Sequence, residues 1–158
     1  MKEHLLQFLS YNDWANKETL KAILQLPEPS DAIYLFSHLV YAQDKWYNRI
    51  TPGKPDEQCP QFGPSFPLDT LEAEWKRSVG NWLQLVERSS EDELNKDLIF
   101  FRSTDKKKMA VPIKDLVFQL CCHSVHHRAQ LNKMISAQGL KVPLTDYIYT
   151  KLREVEAE

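Results

Sequence analysis

Between Lys2 and Gln25 no glycine or proline interrupts a run whose apolar residues return at helical spacing: Leu5, Leu6, Phe8, Leu9, Ala15, Leu20, Ile23 and Leu24. That pattern commits the first stretch to an amphipathic helix, which Leu26-Pro27-Glu28-Pro29 ends, because proline cannot extend a helix and restricts its predecessor. Ser30 or Asp31 can cap a second helix running to about Ile50. It is apolar over much of its circumference (Ile33, Leu35, Phe36, Leu39, Val40, Trp46), as expected of a helix surrounded by neighbours. A third helix is predicted from Leu68 or Asp69 to Arg88, with Asp69 as cap and Glu72 three residues on. A fourth is predicted from Pro112 to Ala137, with proline in its first turn and Gly139 just past its end.

The connections differ in kind. Thr51 to Pro67 holds five prolines and two glycines and reads as a long irregular crossover. Leu98–Phe101 and Met109–Val111 flank a polar tip and predict a small hairpin, although its turn lacks glycine. After Pro143, Thr145 to Glu158 reads as a short terminal helix. Four long helices, a crossover and a hairpin predict an all-α fold, a four-helix bundle in one domain over residues 1–158.

Composition narrows the function. A hydrophobic content of 42% fills a core without disulfides. Lys and Arg total 20 against 22 Asp and Glu, a net charge of -2, which argues against nucleic-acid or anionic-membrane partners. The Lys106–Lys108 run reads as a solvated hairpin tip. Only 4 glycines speak against a phosphate-cradling Gly-rich loop. Cys59, Cys121 and Cys122 form no CxxC and leave an odd thiol, so reduced cysteines are expected, the last two as small core fillers. Charges interrupt every apolar window, and the N-terminus lacks the core of a signal peptide, so a soluble, cytoplasmic protein is expected.

Of 5 histidines, three fall within His123–His127. At about 100° per residue, His123 and His127 lie about 40° apart on one face, while His126 turns about 100° away from His127. His127 falls inside the apolar stripe of its helix and His123 at its edge. An inward imidazole without a partner is costly to bury. Two readings of the HxxxH spacing remain open: hydrogen bonds to neighbouring helices, or one divalent ion shared by both rings. His38, midway along the second helix, is the third candidate ligand, and three histidines from two helices would leave a coordination position open. His4 is read as solvated. Asp44 and Gln130 are candidates to orient the imidazoles, Asp44 alternatively being an exposed helix charge. Arg128 reads as a bundle or dimer salt-bridge residue, and Tyr11 and Trp14 as core or rim aromatics.

Several of these segments together resemble a known family. Tyr11-Asn12-Asp13-Trp14-Ala15-Asn16, His38 through Trp46, His123-x-x-x-His127-Arg128-Ala129-Gln130, and Pro143 to Tyr149 are similar to the signatures of the DinB/YfiT-like metalloenzymes. Ala129 stands where that family often has glycine. The resemblance implies an up-up-down-down bundle whose crossover is Thr51–Pro67, a homodimer, and a divalent metal on His38, His123 and His127. Nickel or zinc is the implied metal, with manganese or iron as further options. The implied activity is metal-dependent thiol S-transfer with a low-molecular-weight thiol, or hydrolysis, on a small-molecule substrate. A non-catalytic, stress-associated bundle with a structural metal is the alternative.

Overall fold

The structure is a computed structural model, described here for residues 1–51, 60 and 62–155. The chain folds into helix α1 (Lys2–Ile23), α2 (Ser30–Ile50), α3 (Leu71–Arg88), the short α4 (Glu91–Asn95), strands β1 (Asp97–Phe101) and β2 (Lys108–Pro112), and α5 (Ile113–Ala137). A 3-10 turn follows at Tyr147–Thr150. The result is a helical bundle carrying one small antiparallel hairpin.

Helix ends follow backbone geometry more than the expected caps. Pro29 precedes α2 in a helix-compatible conformation, φ -83°, so Ser30 enters the helix and makes no side-chain cap. Thr70, not Asp69, borders α3, again without a side-chain cap. The capping box lies instead at the start of α4, where Ser90 Oγ accepts from Glu93 N at 3.2 Å and Glu93 Oε2 accepts from Ser90 N at 2.8 Å. Ser-x-x-Glu is the sequence signature of that motif. Pro112 stands just outside α5 as its N-cap rather than in its first turn. Gly139, φ 79°, closes α5 in the left-handed conformation that glycine tolerates best.

The hairpin pairs Ile99 with Ala110 and Phe100 with Met109. Its turn manages without glycine because Lys106 takes φ 58°, at a steric cost of roughly 1–2 kcal/mol. Two backbone bonds at 2.9 Å, Arg102 N to Lys107 O and Lys106 N to Arg102 O, close it. Of the helix expected over Thr145–Glu158, the described part, residues 145–155, holds only the 3-10 turn, and 156–158 lie outside the described residues. Leu152 and Val155 are exposed, so no apolar face is buried to stabilise a longer helix.

Residue pairs between helices set their directions. Asp13 meets Trp75, and Lys2 bonds the Glu87 carbonyl, so α1 and α3 are antiparallel. Phe36 meets Trp75, and Tyr47 meets Trp82, so α2 and α3 are parallel. Phe8 packs on Phe118 and Asn12 bonds Arg128, so α1 and α5 are parallel. The directions run up, down, down, up, not the expected up, up, down, down. The connection from Leu24 to Pro29 is too short to carry the chain back along a bundle, so α2 must reverse α1. Only the α2–α3 connection is a crossover.

The core has two halves. Leu20, Ile23, Phe36, Leu39, Trp75, Val79 and Leu131 fill one end, and Leu5, Leu9, Trp82, Val86, Leu116 and Leu120 fill the other. Between them lies a buried polar layer including Asn12, Asn16, His38, Ser78, Ser124 and Arg128. The candidate site belongs to this layer.

Candidate metal centre

α2 and α5 face each other across the polar layer. His38 enters from α2, 2% exposed, and His123 and His127 enter from α5, half-buried. The i, i+4 spacing stacks the two α5 rings one turn apart with their Nε2 atoms 3.0 Å from each other. His38 Nε2 lies 3.3 Å from His123 Nε2. One ligating nitrogen from each ring falls within 4.8 Å of the other two.

These distances test a shared ion. Metal–nitrogen bonds of 2.0–2.1 Å at angles from 90° to tetrahedral put adjacent nitrogens about 2.9–3.4 Å apart. Both measured separations fall in that window. Hydrogen bonding alone accounts for the cluster less well. His127 Nδ1 is 2.7 Å from Gln130 Oε1, an acceptor, so Nδ1 carries the proton and the neutral ring's Nε2 is bare toward His123. A proton on His123 Nε2 can serve only one of its two Nε2 neighbours well, whereas a cation would satisfy a lone pair from each ring, and the three side chains fit a divalent ion.

The electrostatics agree. Burial, reinforced by the neighbouring His127, His38 and His126, pushes the His123 imidazole down to about 4. Burial lowers His127 as well, against the Gln130 bond that raises it. Both rings are therefore neutral near pH 7, the state in which an imidazole binds metal.

The crossover contributes more than a connection. Its residues 52–59 and 61 lie outside those described, Cys59 among them. Phe62 lies flat on His38, centroids 3.9 Å apart and planes 6° off parallel. The neighbouring segment is anchored by Tyr41 Oη donating to Pro64 O at 2.9 Å and Phe66 N donating to Ser37 Oγ at 3.0 Å. A Cβ on Gly63 would stand 2.6 Å from the Tyr41 ring, so any larger residue there must push that ring aside and strain its bond to Pro64 O. No sequence signal pointed to Phe62, because its partner is 24 residues upstream and on another element.

The other candidates separate cleanly. Gln130 does touch a ligand-type ring, as expected. Asp44 instead bonds Arg77 Nη2 at 2.5 Å and Ser78 Oγ at 2.7 Å, tying α2 to α3. His126 is exposed, its Nε2 3.4 Å from the Gln130 amide nitrogen. Cys121 is buried, which pushes its thiol up to about 12 and leaves it inert, whereas Cys122 is exposed rather than a core filler.

The profile described as the DinB family matches residues 1–156. The chain belongs to the DinB family. A search of curated proteins finds no match. Within this DinB chain the residues that carry the family pattern also build the polar layer. Arg128 is 3% exposed and forms no salt bridge among the described residues; it donates to Asn12 Oδ1 at 3.0 Å and Tyr11 Oη at 2.8 Å. Tyr11 Oη passes the chain on to Thr145 O at 2.9 Å, pinning the C-terminal segment. Arg128→Ala is expected to destabilise the fold by about 3 kcal/mol, since hydrogen bonds to a charged donor contribute about 1.5–3 kcal/mol. Urea denaturation reads the change; a loss under about 0.5 kcal/mol contradicts this role.

Among the described residues no helix is long and apolar enough to cross a membrane.

Proposed function

We propose that this chain is a divalent-metal-dependent enzyme whose ion is held by His38, His123 and His127 and which acts on a small molecule by thiol S-transfer or hydrolysis. The single observation carrying the reading is the convergence of three imidazoles, with His123 Nε2 3.3 Å from His38 Nε2 and 3.0 Å from His127 Nε2, separations that a shared ion allows. Nickel and zinc suit the all-imidazole set, with manganese or iron weaker fits to nitrogen donors. Three protein ligands leave room for a substrate, the mark of a catalytic rather than structural site.

A bound ion would supply Lewis acidity, making a thiol or water acidic enough to attack near neutral pH. The chain's own residues do the rest. Gln130 Oε1 holds the proton of His127 on Nδ1 and so keeps Nε2 presented. Phe62 covers the His38 ring and excludes water from that side. The two α5 rings are held one turn apart by a helix anchored at both core halves.

The reading includes assembly as a homodimer. Phe118, Cys122, Val125 and Ala129 form an exposed stripe on α5 at spacings of three and four, the pattern of a helix face that meets a partner.

The test is elemental analysis followed by a screen of electrophiles and esters with several cellular thiols. About one ion per chain and a turnover lost in His38→Ala are expected. Absence of an ion after reconstitution overturns the reading. An ion whose removal lowers the melting temperature, with turnover of nothing in the screen, favours the structural-metal alternative.

A further inference from the structure

Beside the histidines, α2, the hairpin and α5 enclose a cavity of about 330 Å³. His123 stands in its wall, together with Lys45, Trp46, Arg49, Phe100 and Arg102. Three of these are cations, and among the described residues no carboxylate lines the cavity. That is a local reversal in a chain whose net charge is -2.

The cations are arranged rather than scattered. Lys45 and Arg49 are one helical turn apart on α2 and half-buried. The Arg49 guanidinium lies 4.5 Å from the Trp46 ring centroid and 4.7 Å from that of Phe100. Those two rings meet edge-on at 5.1 Å. Arg102, from the end of the hairpin, is held bidentately by Asp105, Nε donating to Oδ1 at 2.9 Å and Nη2 to Oδ2 at 2.5 Å, which balances its charge but leaves the guanidinium at the cavity wall. Lys45 has no ion-pair partner among the described residues. A bound anion would balance the Lys45 ammonium beside the apolar wall of Trp46 and Phe100.

We propose that this cavity is the substrate pocket of the metal site and takes a small organic anion, a carboxylate or phosphate ester with a flat apolar part. Lys45 and Arg102 hold the anionic group, the apolar part lies against Trp46 and Phe100, and the other end is directed to His123. The volume suits a small molecule. The assignment of the pocket as a substrate site rests on the enzyme reading above; anion binding itself does not. The hairpin thereby has a task, since it supplies the Phe100 and Arg102 wall.

The experiment titrates the full chain, first metal-free and then zinc-loaded, with benzoate, phenyl phosphate and the uncharged benzamide, by calorimetry. Zinc uptake is measured on the same samples, so failure of the metal site and failure of the pocket are read separately. In metal-free protein a carboxylate has no ion to bind. There, benzoate or phenyl phosphate should bind at least about tenfold more tightly than benzamide, and the stronger of the two identifies the anion type. Lys45→Ala and Arg102→Ala should each weaken that binding about fivefold to tenfold with unchanged melting temperature, Lys45→Glu more so, and Lys76→Ala on the exposed face of α3 not at all. Equal affinity for benzamide overturns the proposal, as does binding indifferent to Lys45 and Arg102. Binding seen only with zinc, and unchanged by those substitutions, overturns it too, because the metal then holds the anion.

Discussion

His127→Ala is expected to lower the affinity for zinc or nickel by more than about a hundredfold while leaving the helices folded. Removing a partner that only orients a ligand already weakens metal binding about 10–100-fold, and losing a ligand itself exceeds that. The residue is half-buried at the edge of the polar layer, so its loss opens little space in the core. Gln130→Ala should fall within the 10–100-fold range, because the amide holds His127 Nδ1 at 2.7 Å without being one of the three proposed ligands. His126→Ala should weaken binding less than about threefold, since that ring is exposed, lies outside the cluster and reaches it only through a 3.4 Å contact with the Gln130 amide. Competition against a chromophoric chelator measures all three, with circular dichroism as the check on folding. An affinity for His127→Ala equal to that of the unmodified chain would remove His127 from the site.

Trp82→Ala should produce the largest loss of stability. Its side chain is 0% exposed and fills the half of the core built on Leu5, Leu9, Val86 and Leu116. Its Nε1 donates to Gln43 O at 3.1 Å, and its ring meets Tyr47 edge-on at 5.9 Å. Truncating a buried tryptophan costs about 3–5 kcal/mol through lost burial and the cavity left behind. That is a large share of the roughly 5–15 kcal/mol that holds a domain together. The melting temperature should fall by roughly 10 °C. Phe101→Ala, at a position 62% exposed on the hairpin, serves as the comparison and should stay within about 0.5 kcal/mol. A Trp82→Ala loss below about 1 kcal/mol, measured by urea denaturation, would mean that this half of the core collapses around the gap.

Much of the architecture was legible along the chain because helices are written in local periodicity. Leu5, Leu9, Leu20 and Ile23 mark the buried face of α1, and all are buried. The hairpin was legible from two apolar runs around a polar tip, but its register, Ile99 opposite Ala110, came only with the structure. Local signals failed where backbone geometry overrode side-chain chemistry, as at Pro29 and Thr70, where helices begin without the expected caps. They failed again over residues 145–155, where Tyr147 packs on Phe8 and Tyr11 but Ile148, Leu152 and Val155 stay exposed, too little burial for a longer helix. The helix directions depended on how far residues 24–29 can reach, a question of connection length rather than of periodicity.

By itself the sequence determined that His123 and His127 share one face of a helix, that His126 does not, and that the helix carrying them is long and uninterrupted. Helical geometry within a single turn settles such relations. Only the tertiary structure decided that His38 comes within 3.3 Å of His123, that Phe62 covers its ring, and that a cavity walled by Lys45, Arg102 and Phe100 opens beside it. Those residues sit on α2, the crossover, the hairpin and α5. Their meeting is set by packing two core halves around a polar layer, which no periodicity along the chain records.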